Sequence, residues 1–246
     1  MKKVYLLPNL FTTASLFAGM LAVTMIMQGR GMEACWFILA SGVLDAFDGK
    51  IARLTRTESA FGVNYDSLAD LVAFGVAPAM LMFTILSDEG SIKIASGVTT
   101  LFATCGALRL ARFNVQRTRE EKRSFTGLPI PAAGAMVVAS FLMYHKIDPP
   151  GDLSAQVLPF MLVVLSWLMV SKIPYPSHKN VDLERRKPFD YLVSIILVVS
   201  IVIALLPHFA YLLFAAMTAY VVYAPARTAY FLYNTRRAPS EAQSSE

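Results

Sequence analysis

Apolar residues along this chain come in long blocks, unlike the short alternating runs of a soluble domain. A membrane-spanning helix needs about 20 mostly apolar residues. Eight blocks come near or above that length, covering 8–28, 32–54, 62–87, 91–113, 127–146, 153–173, 188–206 and 208–233. The pattern predicts an all-α, polytopic membrane helix bundle of about eight transmembrane helices, with residues 1–233 forming one integral membrane domain. The polar ending "RRAPSEAQSSE" suggests a disordered tail over 234–246. The opening "MKKVYLLPNLFTTASLFAGMLAV" has the look of a secretory signal, but its apolar run continues to Met27 without a small-x-small cleavage site. It reads as a retained first span.

Composition agrees: 56% of the 246 residues are hydrophobic, 16% are charged, and mean hydropathy is +0.53. Soluble domains carry roughly 25% charged residues. The loops hold most of the charge, and unevenly. With eight spans, nineteen Lys and Arg fall on the side of the termini, and only Arg30, Lys93 and Lys146 fall on the other. By the positive-inside rule both termini are cytoplasmic, in the cell (inner) membrane of a microbe. The pI near 9.2 is then a matter of topology, not of nucleic-acid binding. Cys35 and Cys105 lie in apolar blocks and form no disulfide or metal framework.

One stretch breaks the apolar pattern. "LDAFDGKIARLTRTESAFGVNYDSLAD", residues 44–70, places four aspartates at the facing ends of two predicted spans, on the cytoplasmic side. At about 100° per residue, Asp45, Asp48, Gly49, Ala52 and Arg53 share one helical face. Gly62, Asp66, Ala69, Asp70, Ala73 and Ala77 share a face on the next helix. Small residues allow close approach of a helix or ligand. A lone carboxylate at the bilayer centre costs roughly 2.5–3.5 kcal/mol. Lys50 and Arg53 are too few to offset four carboxylates. Hard oxygen donors suit Mg²⁺, Mn²⁺ or Ca²⁺, and four carboxylates could hold two ions in the manner of phosphoryl-transfer enzymes.

The pattern Asp-x2-Asp-Gly-x2-Ala-Arg-x8-Gly-x3-Asp-x3-Asp is met in full by Asp45, Asp48, Gly49, Ala52, Arg53, Gly62, Asp66 and Asp70. It resembles the signature of the CDP-alcohol phosphotransferases, whose core is a six-helix membrane bundle. The resemblance implies transfer from a CDP-activated lipid to an alcohol with release of CMP. It implies that Asp45, Asp48, Asp66 and Asp70 bind two divalent ions, with Asp70 also the general base. It places CDP against Gly49, Ala52, Arg53, Gly62 and Asp66, and it implies a homodimer.

Four further stretches resemble the phosphatidylserine synthase branch of that family: "PNLFTTASLFAGM" (8–20), "GALRLARFNVQ" (106–116), "FTGLPIPAAG" (125–134) and "LMVSKIPYPSHK" (168–179). The substrates implied are CDP-diacylglycerol and L-serine. Serine carries a carboxylate, so its pocket needs a cation. Arg109 and Arg112 are three residues apart on one helical face, with Asn114 and Gln116 after them, and Arg109 sits deeper. Lys172 reads as topological. Asn9 either caps the first helix or touches the nucleotide. Pro129 and Pro131 shape the start of the fifth helix, and Pro225 kinks the last. Two rival readings remain at this level. One is the same chemistry with glycerol 3-phosphate or inositol phosphate as acceptor, in a more cationic pocket. The other is a cation transporter, which would scatter its carboxylates across the membrane.

Overall fold

The computed structural model of the chain describes residues 6–55, 59–89, 91–117, 125–146, 152–175 and 208–242. The described elements are helices, apart from one two-residue β-ribbon. Helix α1 (Leu6–Met27) and α2 (Gly31–Thr55) form an antiparallel hairpin. Gly29 closes it at φ 75. Its amide donates to the Ile26 carbonyl at 2.9 Å, and the Arg30 amide donates to Met25 at 2.9 Å. These are the two bonds of a Schellman cap, which satisfies carbonyls that a helix end leaves open. Arg30 then pairs with Glu33 in the first turn of α2. Deeper in the hairpin the Ser15 and Ser41 hydroxyls meet at 2.7 Å, and each also reaches the other's carbonyl. Polar side chains facing each other between spans avoid exposure to lipid.

The block predicted as one helix over 62–87 is a single rod with an interruption. Ser59 caps α3 (Ala60–Asp70) by accepting from the Gly62 amide at 3.0 Å. A π-helical turn, Leu71–Val76, follows, and α4 (Ala77–Glu89) completes the rod. A π turn takes up an extra residue. Side chains beyond it are therefore rotated by up to about 100° from regular α-winding. The expected face shared by Gly62, Asp70, Ala73 and Ala77 thus holds only as far as Asp70. Beyond it, Ala73, Phe74, Gly75 and Ala77 are buried. The π turn is gripped from both sides. A Cβ on Gly19 of α1 would stand 2.9 Å from the Ala73 Cα, and one on Gly134 would stand 2.8 Å from the Phe74 carbonyl oxygen.

Helix α5 (Ile92–Arg117) runs beside α4. Helix α6 (Ile130–Tyr144) starts behind Pro129 with Pro131 in its first turn, as expected. Helix α7 (Asp152–Val170) contains Pro159. Strands β1 (Phe125–Thr126) and β2 (Pro174–Tyr175) pair antiparallel, with Phe125 opposite Tyr175. The last helix, α8 (Phe209–Ala242), packs on α6 and continues past the expected boundary at residue 233. The span predicted over 188–206 lies outside the described residues. Asn9 does not cap α1, because that helix already begins at Leu6.

Leu81, Met82, Phe102, Ile130, Val137, Leu162, Leu165 and Met169 are fully buried where α4, α5, α6 and α7 meet. Phe17, Trp36, Phe160 and Trp167 are exposed. A bundle that keeps large apolar side chains on its outside is built for lipid. Four described helices are long and apolar enough to cross a membrane: Asn9–Met27, Ala60–Asp88, Ile92–Val115 and Phe209–Tyr230. The chain is an integral membrane protein with a polytopic helical bundle.

Gly127 joins β1 to α6 at φ 84, where an added Cβ would lie 2.4 Å from the Met169 carbonyl oxygen. Its amide donates to Ile173 at 2.9 Å. Gly127→Val combines a left-handed backbone with a clash. It is expected to cost about 2–5 kcal/mol and to lower Tm in detergent by at least ~5 °C, read by thermal unfolding.

Candidate active site

The four aspartates come together. Asp45 and Asp48 project from the second half of α2, while Asp66 and Asp70 project from α3. Asp45, Asp48 and Asp66 each offer one carboxylate oxygen, all within 4.8 Å of one another. Asp45 is in close side-chain contact with both Asp66 and Asp70. Asp70 lies within electrostatic reach of the other three. The convergence follows from the helical arithmetic: each pair sits on one face of its helix.

Burial makes the cluster demanding. Asp48 is only 6% exposed. One of its oxygens accepts a hydrogen bond of 2.7 Å from Thr12 of α1, so a third helix helps aim the carboxylate. The Oδ1 atom of Asp70 is buried and accepts no hydrogen bond among the described residues. Converging carboxylates with an open buried oxygen form a site for a positive charge. Their hard oxygen donors fit a divalent ion of the Mg²⁺ or Mn²⁺ kind.

Around the cage the predicted residues divide. Gly62 sits at the start of α3, where an added Cβ would be 3.4 Å from the Asn9 side-chain oxygen and 3.2 Å from Ser59. Asn9 therefore faces the glycine. Gly49, Ala52 and Arg53 continue α2 beyond Asp48, but their side chains lie outside the described residues, as does that of Gln116. Arg109 on α5 is 8% exposed, and its Nε is buried without a hydrogen-bond acceptor. It lies within electrostatic reach of Asp70 and Tyr220. Arg112, one turn further along α5, is half-exposed. Asn114 ties α5 to α3, accepting from Ser67 at 3.1 Å and donating to Asn64 at 3.2 Å. Lys172 is exposed.

The three later stretches singled out in the sequence become neighbours. A Cβ on Gly106 of α5 would stand 2.6 Å from Ile130 Cδ1, and Gly127 abuts Met169. The β-ribbon joins the second and third of these stretches. Two contributors to the site were not singled out as site residues in the sequence. Thr12 reaches Asp48 across 36 residues, and Tyr220 sits in an apolar block. A polar residue on the inner face of α1 was the only hint of the first.

The described helices bring a cluster of carboxylates that could hold a cation together with a buried arginine. Residues 5–173 match the CDP-alcohol phosphatidyltransferase family, and the chain belongs to that family. Its members use divalent metal ions, and the Asp45, Asp48 and Asp66 cluster is where this chain could hold one.

Among its relatives is the CDP-diacylglycerol–serine O-phosphatidyltransferase of Helicobacter pylori, 43% identical over 72% of this chain and 75% of the relative. The enzyme of the same name from Methanocaldococcus jannaschii is 32% identical over 86% of this chain and 90% of its own length. The archaetidylserine synthase of Methanothermobacter thermautotrophicus is 38% identical over 69% of each chain.

Proposed function

We propose that the chain transfers the phosphatidyl group of CDP-diacylglycerol to the hydroxyl of L-serine, giving phosphatidylserine and CMP. The observation that carries this reading is the aspartate cage between α2 and α3 with the buried Arg109 beside it. The relatives add weight to the choice of acceptor. Their names differ in the lipid, phosphatidyl or archaetidyl, and share serine.

In this reading Asp45, Asp48, Asp66 and Asp70 hold two divalent ions, Mg²⁺ or Mn²⁺, with Ca²⁺ a third candidate. Such ions neutralise the diphosphate and bear the charge of the departing CMP. Gly49, Ala52 and Gly62 leave room for the cytidine, and Arg53 approaches the diphosphate. Asp70 accepts the serine hydroxyl proton while the serine oxygen bonds to the phosphorus nearest the lipid and the bond from that phosphorus to CMP breaks. Its buried, unbonded Oδ1 is suited to that proton. Arg109 receives the serine carboxylate, with Arg112, Asn114 and Gln116 around the mouth of the pocket. Residues 1–233 form one catalytic domain of eight spans, with 234–246 as its tail. In this reading the active site and both termini face the cytoplasm, which the nineteen-to-three charge bias of an eight-span chain supports. The working unit is a homodimer, as the family resemblance implies.

The test uses purified full-length chain in detergent with CDP-diacylglycerol, Mn²⁺ or Mg²⁺, and one labelled acceptor at a time. CMP release with serine alone is expected. Release only with glycerol 3-phosphate or inositol phosphate would move the chain to another branch of its family. Arg109→Ala removes a buried charge that pairs with the acceptor. It should raise the serine KM by about tenfold or more while leaving the KM for CDP-diacylglycerol within a few-fold. An unchanged serine KM would place the carboxylate site elsewhere.

A further inference from the structure

Residues 5–173, which match the family, end just before β2. Helix α8 lies wholly beyond them, yet it carries a polar group within electrostatic reach of Arg109. Tyr220 is half-buried on α8, and its phenol lies within electrostatic reach of Arg109. Its position is held by a second tyrosine. Tyr175 of β2 is buried, with its ring centroid 5.6 Å from that of Tyr220. The Tyr175 hydroxyl donates to the Val221 carbonyl of α8 at 3.2 Å. Burial, with Tyr220 nearby, pushes the Tyr175 phenol up to about 12, so it remains a donor at any working pH. The β-ribbon is thereby tied to α8.

We infer that Tyr220 forms the second wall of the acceptor pocket, where its hydroxyl and the Arg109 guanidinium jointly receive the acceptor's carboxylate. This rests on the reading of Arg109 given above. Arg109 has a buried Nε that meets no acceptor among the described residues, so at least that donor is open to a ligand. A phenol can donate to a carboxylate oxygen that a guanidinium leaves open, which is how a short amino acid is told from an amino alcohol of similar size. The transfer chemistry belongs to the matched core. On this inference, the choice of a carboxylate-bearing acceptor is made partly by a helix outside it.

Full-length Tyr220→Phe in detergent is the test. It keeps the ring contact with Tyr175 and removes only the hydroxyl. The serine KM should rise about tenfold, as for loss of one hydrogen bond to a charged group. The maximal rate and the KM for CDP-diacylglycerol should stay within about twofold. The preference for serine over ethanolamine, which lacks the carboxylate, should fall by a similar factor. Tyr175→Phe loosens α8 without touching the acceptor, so it should lower thermal stability and shift the serine KM less than Tyr220→Phe does. If Tyr220→Phe leaves the serine KM and the selectivity unchanged while Arg109→Ala is impaired, the inference about Tyr220 is overturned and the Arg109 pocket stands. If neither variant alters the serine KM, the Arg109 reading itself fails. A fall in maximal rate and a rise in both KM values together would mark Tyr220 as a packing residue and also overturn the inference.

Discussion

Asp70→Asn is expected to abolish turnover while leaving nucleotide binding largely intact. The substitution keeps the shape of the side chain and its place at the end of α3, but it removes the basic oxygen. Asp70 Oδ1 is buried and accepts no hydrogen bond among the described residues, and Arg109 is within electrostatic reach. A general base in that position contributes about 10²–10⁴-fold. Loss of part of the metal charge adds to this. The expected fall in kcat is therefore at least ~10³-fold, read as CMP release with serine saturating. CDP-diacylglycerol binding should weaken only several-fold, because Asp45, Asp48 and Asp66 still converge within 4.8 Å. A variant that retains a tenth of the parent rate would remove Asp70 from the role of base.

Asp45→Asn tests the cage in a way that does not depend on catalysis. Asp45 sits in contact with Asp66 and Asp70 and within electrostatic reach of Asp48, so a like charge faces it in a buried cluster. With metal present its loss removes a ligand. The metal concentration for half-activity should rise at least ~100-fold, since even residues behind the ligands contribute 10–100-fold. With metal chelated, the sign reverses. The neutral amide relieves like-charge repulsion in a buried cluster, so Asp45→Asn should unfold at a higher temperature than the parent. The parent should gain the more when metal is restored, because an ion that binds only the folded state stabilises by mass action. A parent whose Tm ignores Mg²⁺ and Mn²⁺, and an Asp45→Asn variant no more stable than the parent in chelator, would mean that the aspartates do not form a cation site.

The sequence made the cage legible because its determinants are local. Spacings of three and four residues on two helices place carboxylates on definite faces whatever the helices pack against, and Asp45, Asp48, Asp66 and Asp70 meet accordingly. The start of α6 was readable in the same way from Pro129 and Pro131. The π turn was not. Nothing in "LVAFGV" distinguishes a wider turn from an α-turn, because it is stabilised by what Gly19 and Gly134 allow their helices to do from outside. Asn9 was half-read: residues before Pro8 can also be helical, so the polar side chain had a neighbour to meet instead of an end to cap. Arg109 and Arg112 looked alike at the level of charge, and only packing separates the buried one from the half-exposed one. Thr12 and Tyr220 were out of reach for a related reason. Each acts on a residue far away in the chain, and no periodicity records such a pairing.

The π turn has a bearing on how this lineage can vary. A winding that already holds a surplus residue can lose it and relax to an ordinary α-turn without swinging the segments on either side out of phase. Length changes in the third span thus have a natural place to be absorbed, directly after Asp70. The register of the motif before it is insulated from the drift in hydrophobic thickness that membranes impose on the rest of the rod.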